Sequence, residues 1–200
     1  SASGAYQCCV ACPPDVVLLD FRLPDGDGVT VIGTLRSIAP QAVIIVLTAD
    51  PNPAVSTSAR AGLAALAVAM GVGRFISMGT AGGLQPSQAI GDVVLCDAAV
   101  RDEGVSHHYE PSARWARPDP ALTERLGEAL TTAGVVHRRG GAWTIDTPYR
   151  ETAEEVRHYR DDGVACVEME AAALFTVAAH RGVALASAFA ISDLVRPEGW

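Results

Sequence analysis

The run VEMEAAALFTVAAHRGV, from Val167 to Val183, sets two carboxylates and a thioether, Glu168, Met169 and Glu170, at the mouth of an alanine-rich helix. A carboxylate accepts charge-assisted hydrogen bonds from a vicinal diol, and a Met side chain lies well against the apolar face of a ribose. The same acids also suit the first turn of a helix, where the macrodipole favours negative charge. Taken alone, the segment supports a sugar grip and a helix cap equally, the cap reading being stronger for Glu168 than for Glu170.

Four further segments carry groups able to do chemistry. RFISMGTAGGLQ, Arg74 to Gln85, is an apolar run that ends in a Gly-rich stretch; RDEGVSHHYEP begins at Arg101, WTIDTPYRET at Trp143, and FAISD spans Phe189 to Asp193. In this order and at these separations the five segments resemble the nucleoside phosphorylase family, which includes the purine nucleoside and uridine phosphorylases, over roughly residues 59–200. GTAGG alone is a weak signal; five segments in register are a strong one.

The resemblance implies a role for each segment. Breaking an N-glycosidic bond needs a grip on the ribose, an anion or water aimed at the anomeric carbon, and a proton or hydrogen bond for the departing base. Met169 and Glu170 would bind ribose, with Glu168 beside them. Gly79, Thr80 and Gly82 would belong to the phosphate site, as a tight turn whose backbone N–H groups approach an anion. Asp193 would be the catalytic acid facing the base, with Ser192 next to it, Tyr149 stacking on the base and Asp146 fixing the loop. The alternative for Ser192 and Asp193 is a cap on the following turn. A purine is favoured over uracil, since no Gln follows Tyr149 to pair with Arg150.

The chain departs from the family pattern at one informative place. Many family members carry Arg two residues before the first Gly of the GTAGG segment, where this chain has Ser77. Fewer cations weaken the hold on a phosphate dianion, so a nucleosidase that uses water stands as the alternative reaction. A non-catalytic nucleoside-binding or signalling protein is the alternative from another class. The resemblance further implies a homo-oligomer whose subunits complete one another's sites, with a chain that begins after the family's first strands and stops short of its closing helix.

Composition narrows the partners. With 200 residues and 49% hydrophobic side chains, one substantial core is expected. A net charge of -8 argues against nucleic acid, which needs a positive footprint. Every one of the 15 basic residues is Arg, so mechanisms built on a lysine ammonium are excluded. Small molecules, a nucleoside and inorganic phosphate, are the expected ligands, with no cofactor beyond phosphate as co-substrate. The five cysteines, Cys8, Cys9, Cys12, Cys96 and Cys166, read as reduced thiols of a cytoplasmic protein. No apolar run has the length of a membrane span. His107 and His108 are read as strand neighbours pointing to opposite faces, so no metal is expected.

Strands and helices alternate, which predicts an α/β fold, a three-layer sheet with helices on both faces. Strands are expected at Val16–Asp20, Ala42–Thr48, Phe75–Met78, Asp92–Val100, Val164–Val167 and Ala184–Ile191. Helices are expected at Gly28–Ile38, Ala59–Met70, Pro120–Thr132, Thr152–Asp161 and Glu170–Arg181. The N-terminal stretch PDVVLLDFRLPDGDG, Pro14 to Gly28, resembles instead the receiver domain of response regulators, with Asp20 as phospho-acceptor and Thr48 as sensing hydroxyl. The division drawn is a partial receiver-like βαβ segment at residues 1–52 and a phosphorylase-like domain at 53–200, joined through PNPAVSTSA. Asp20 lacks the receiver's preceding acids and its Lys, which argues against phosphorylation.

Overall fold

A computed structural model of the chain describes residues 73–110 and 113–196, residues 34, 35 and 37–40, and the backbone of short strands at 16–20, 22–23, 26–27 and 43–47. The joint at 51–59, the expected helix at 59–70, Thr48 and the first three cysteines lie outside the described residues, as does the side chain of Asp20.

Ten strands are described. Eight form one sheet: β1 (Val16–Asp20), β4 (Val43–Leu47), β5 (Arg74–Gly83), β6 (Val93–Asp102), β7 (Trp115–Ala116), β8 (His137–Ile145), β9 (Cys166–Glu168) and β10 (Ala184–Leu194). The short pair β2 (Arg22–Leu23) and β3 (Gly26–Asp27) stands apart. The order is β1-β4-β5-β10-β6-β8-β9, with β7 on β6. Strands β1 and β4 pair in parallel, as the β-branched runs predict, and β4 continues in parallel onto β5. The strands on either side of the expected domain boundary are therefore neighbours in one continuous sheet.

The sheet is mixed rather than all parallel, and it closes on itself. β10 runs parallel to β5 but antiparallel to β6, and the end of β5 also pairs with β9, Gly82 with Val167 and Gly83 with Cys166. Strands β5, β10, β6, β8 and β9 thus form a closed ring of pairings. That closure brings the ends of strands far apart in the sheet order to one place.

Three helices cover the sheet. α1 (Pro120–Thr132) starts at Asp119, whose side chain accepts the Leu122 N–H, with Pro120 in the first turn. α2 (Ala153–Asp161) opens on a capping box between Thr152 and Glu155. α3 (Ala171–Arg181) ends on Gly182 at φ 68°, a left-handed position suited to glycine. Along β6, Val94 and Cys96 pack in the cluster holding Leu174 and Phe175 of α3, while Leu95 packs with Leu122 and Leu126 of α1. Val156 of α2 packs with Val100, Trp143 and Ile145. Layers on both faces follow from this alternation. α3 is buried continuously from Ala171 to Ala178, and its small residues let it lie close against the strands.

Several boundaries differ from expectation. The stretch Gly79–Gly83, expected as a tight turn, is the second half of β5. Hydrogen-bonding partners explain it: β10 pairs along the whole length, and none of these glycines has a positive φ. β10 likewise runs on to Leu194, so Ser192 and Asp193 lie inside a strand instead of capping a turn. β9 begins at Cys166 and reaches Glu168. β8 was not expected as a strand, and His107 and His108 lie on a 3-10 turn, Ser106–His108, rather than on a strand. None of the described helices is long and apolar enough to cross a membrane.

Candidate active site

Strand register brings several of the candidate residues together. Gly82 of β5 is paired with Asp193 of β10 on one side and with Val167 of β9 on the other. The strand carrying Gly79 and Thr80, the strand carrying Ser192 and Asp193, and the turn leading into Glu168, Met169 and Glu170 therefore meet at one end of the closed ring. A Cβ added at Gly82 would stand 2.6 Å from Val195 Cγ2, 3.1 Å from Val167 Cγ1 and 3.3 Å from Asp193 Oδ2. The glycine is required for close approach, not for an anion-binding bend. Among the described residues, β4 pairs with Ile76–Met78 and β9 with Gly82–Gly83, so residues 79–81 have β10 on one side and no strand on the other. Thr80 is exposed at this split.

The acids at the mouth of α3 have distinct surroundings. Glu168 is buried, and its Oε2 accepts the N–H groups of Glu170 and Ala171, each at 2.8 Å. Its Oε1 accepts the hydroxyl of Thr144, which in turn accepts the Ala172 N–H at 3.0 Å. Both oxygens of Glu168 thus serve the open backbone of the helix start, where the dipole also favours a negative charge. Met169 and Glu170, held in place by that cap, are half-buried, and Glu170 makes no side-chain cap to its own helix.

On β10, the Ser192 hydroxyl donates to Asp193 Oδ1 at 2.7 Å. Asp146 accepts the Gly104 N–H at 2.7 Å and so ties the end of β8 to the loop after β6. Tyr149, on the 3-10 turn Pro148–Arg150, is 89% exposed. A cavity of about 500 Å³ borders this segment, lined among others by Asp102, Arg150, Thr152, His158 and Tyr159. Tyr159 and the Trp143 indole both donate to Asp102 Oδ2, and burial together with that carboxylate pushes the phenol up to about 12.

Arg101 and Glu103, at the start of the RDEGVSHHYEP segment, are anchored by hydrogen bonds to neighbouring groups. Buried Arg101 donates to Ser106 Oγ at 2.8 Å, to the Ala113 carbonyl at 2.7 Å and to the Glu110 carbonyl, while Glu103 accepts the N–H groups of Val105 and Ser106. These contacts shape the loop carrying the two histidines.

Two residues were not singled out from sequence. Thr144 bridges Glu168 to the start of α3 and would have been visible only once β8 was read as a strand. Glu151 lies close enough to Asp193 to feel its charge; burial raises its carboxyl to about 7, with Asp193 and then Glu155 adding to the effect. The capping box at Thr152 and Glu155 marks Glu151 as the last residue before α2, and that was the available signal.

Several known proteins are similar to this chain. The family model described as Phosphorylase superfamily matches residues 22–199. The guanosine phosphorylase of Halorubrum lacusprofundi is 36% identical over 115 residues, 57% of this chain and 47% of that protein. The DeoD-type purine nucleoside phosphorylase of Bacillus cytotoxicus is 35% identical over 127 residues, 62% of this chain and 53% of that protein. This chain therefore spans about half the length of the curated relatives it matches. Among solved structures, a Plasmodium knowlesi homologue of the P. falciparum purine nucleoside phosphorylase superposes with TM-score 0.63 at 28% identity, covering 67% of this chain and 57% of that one. An AMP nucleosidase from Bacteroides thetaiotaomicron gives TM-score 0.63 at 26% identity, with 68% and 60% covered. The family match begins at Arg22, inside the stretch likened to a receiver, and the comparisons give that likeness no support. With residues 22–199 matched and the strand ends meeting as described, the chain belongs to the phosphorylase superfamily.

Proposed function

We propose that this chain carries the nucleoside-cleaving site of a purine nucleoside phosphorylase, a pentosyltransferase that moves ribose from a purine base to phosphate. The observation that carries the reading is the register at Gly82, which sets Asp193 and the Met169–Glu170 turn on either side of one strand. Glu170 accepts hydrogen bonds from the ribose hydroxyls, and Met169 covers the sugar's apolar face. Positive charge developing on the ribose strengthens the carboxylate's hold in the transition state, which is where binding accelerates reaction. Asp193 faces the departing base and delivers a proton or hydrogen bond to its ring nitrogen. Phosphate approaches along the open edge of β5 at Gly79–Ala81, with the Thr80 hydroxyl as a donor. Guanosine and inosine are the first substrates to test, since relatives it matches are named for guanosine and for purine nucleosides.

A homo-oligomer in the cytoplasm belongs to the same reading, and exposed Tyr149 is the side chain that a base or a neighbouring subunit would cover. A nucleosidase is the second reading, favoured by Ser77 at the position where an arginine would help bind phosphate and by the likeness to an AMP nucleosidase. The deciding experiment incubates the chain with guanosine, with and without phosphate, and identifies the sugar released. Ribose 1-phosphate formed only with phosphate supports the phosphorylase. Free ribose formed at the same rate without phosphate supports the nucleosidase.

A further inference from the structure

A second cavity, of about 450 Å³, lies between α3 and β7, and its lining includes none of the residues placed at the proposed nucleoside site. Phe175, Thr176, Ala179 and His180 share one side of α3 at helical spacing and form one wall. Trp115 and Arg117, in and after β7, line it from the strand side. The Tyr109 ring meets the His180 ring edge-on, with centroids 5.3 Å apart. A Cβ at Gly141 would stand 3.2 Å from Trp115 Cζ3, so the glycine lets the indole lie close against β8. Flat aromatic surfaces thus face the space from more than one element.

The same lining carries an unbalanced charge. Arg101 is 6% exposed, and its guanidinium donates to the Ser106 hydroxyl and to the carbonyls of Ala113 and Glu110, with His107 Nδ1 at 3.4 Å. None of these partners is a carboxylate, and among the described residues no ion pair reaches Arg101. Glu103, two residues along, commits its carboxylate to the N–H groups of Val105 and Ser106. A buried charge is costly without a counter-ion. Arg117 adds an exposed guanidinium to the lining, with no hydrogen bond or ion pair among the described residues. Glu110, the acid in the lining, is exposed and pairs with neither arginine.

We propose that this cavity is a binding site for a small aromatic carboxylate, its ring against Trp115 and Phe175 and its charge between Arg101 and Arg117. Two arginines set against one acid leave a single positive charge, which a monoanion balances. A dianion would meet Glu110 with its second charge, and a cation would add to the unpaired guanidinium charge. A neutral ring would fill the space and leave Arg101 without a counter-ion. Arg117, free of other partners among the described residues, presents the planar fork that matches a carboxylate. A mostly apolar cavity with a few converging polar groups is the usual form of a small-molecule site. The proposal does not depend on the reading of the nucleoside reaction.

The test titrates the whole chain with cinnamate by calorimetry, with cinnamyl alcohol and cinnamylamine as the neutral and cationic controls. Cinnamate should bind about 10-fold or more tightly than the alcohol, and the amine should bind least. Arg117→Gln should remove most of the preference for the carboxylate over the alcohol. Ala179→Phe, which fills the space from an exposed helix position, should weaken cinnamate about 10-fold or more. Arg101→Gln would also loosen the loop that Arg101 holds, so the two exposed positions decide the matter. Alcohol bound as tightly as cinnamate, cinnamate binding unchanged in Ala179→Phe, or no cinnamate binding up to about 1 mM would each overturn the proposal. An oligomer that Ala179→Phe dissociates, in a chain that binds no cinnamate, would overturn it in favour of a subunit contact. Because no readout uses base release, a failure to cleave guanosine leaves this result unaffected.

Discussion

Thr144→Val isolates the contact on which the turn proposed to hold the ribose depends. Thr144 is fully buried, and Val nearly matches its shape, so the change removes hydrogen bonds with little change in packing. The hydroxyl donates to Glu168 Oε1 and accepts the Ala172 N–H at 3.0 Å. Losing a hydrogen bond to a charged group costs about 1.5–3 kcal/mol and orphaning a buried N–H about 1–3 kcal/mol, so a total of about 2.5–6 kcal/mol is expected. For a domain of this size each kcal/mol lowers Tm by roughly 2–4 °C, which gives a fall of roughly 5–24 °C. Circular dichroism melts measure it. The same carboxylate holds the N–H groups of Glu170 and Ala171, so KM for the nucleoside should rise several-fold while kcat changes less. A Tm within about 2 °C of wild type would refute the energetic reasoning. A large fall in Tm with KM unchanged would show that this cap does not position Met169 and Glu170.

Other consequences follow from the packing. Gly82→Ala places a Cβ 2.6 Å from Val195 Cγ2, so overpacking should cost about 1–3 kcal/mol and displace Asp193; a melt and a kcat measurement should both fall, and an unchanged kcat would separate Gly82 from the site. Cys96 and Cys166 are fully buried, and burial pushes both thiols up, with the Glu168 charge adding to it, so alkylation of the folded chain near pH 8 followed by peptide mapping should leave both unmodified until the protein is unfolded. Glu151 has a raised folded pKa, so its relative contribution to stability is full below about 4.5 and is lost as pH rises through about 7. E151Q should accordingly stabilise the chain more, relative to wild type, near pH 8 than near pH 5; equal differences in Tm at the two pH values would contradict the raised pKa.

The sequence shows some elements more clearly than others for physical reasons. α1 begins where Asp119 and Pro120 require it, and α2 and α3 fall within a residue of expectation because their caps are local signals. β1 and β4 are legible as uninterrupted β-branched runs. β5 and β10 are longer than they read, because GTAGG and Ser-Asp resemble turns unless the partner strand is known. β8, written HRRGGAWTI, is polar and glycine-rich in its first half and gains its structure from parallel pairing with β6. The closure of β5 onto β9 is a tertiary event with no local signature. Within the site, the ambiguity at Glu168 resolves only when Thr144 and two backbone N–H groups are seen around it. Glu151 becomes visible only through its proximity to Asp193, a residue 42 positions away in the chain.

The central claim is that the ends of β5, β9 and β10 meet around a nucleoside, with Asp193 at the base. Single-turnover release of guanine from guanosine with saturating phosphate, compared between wild type and D193N with nucleoside binding measured alongside, tests it most directly. D193N should lose about 100-fold or more in the rate with binding changed only a few-fold. D193N that turns over at the wild-type rate, or a wild-type chain that binds no nucleoside, would contradict it.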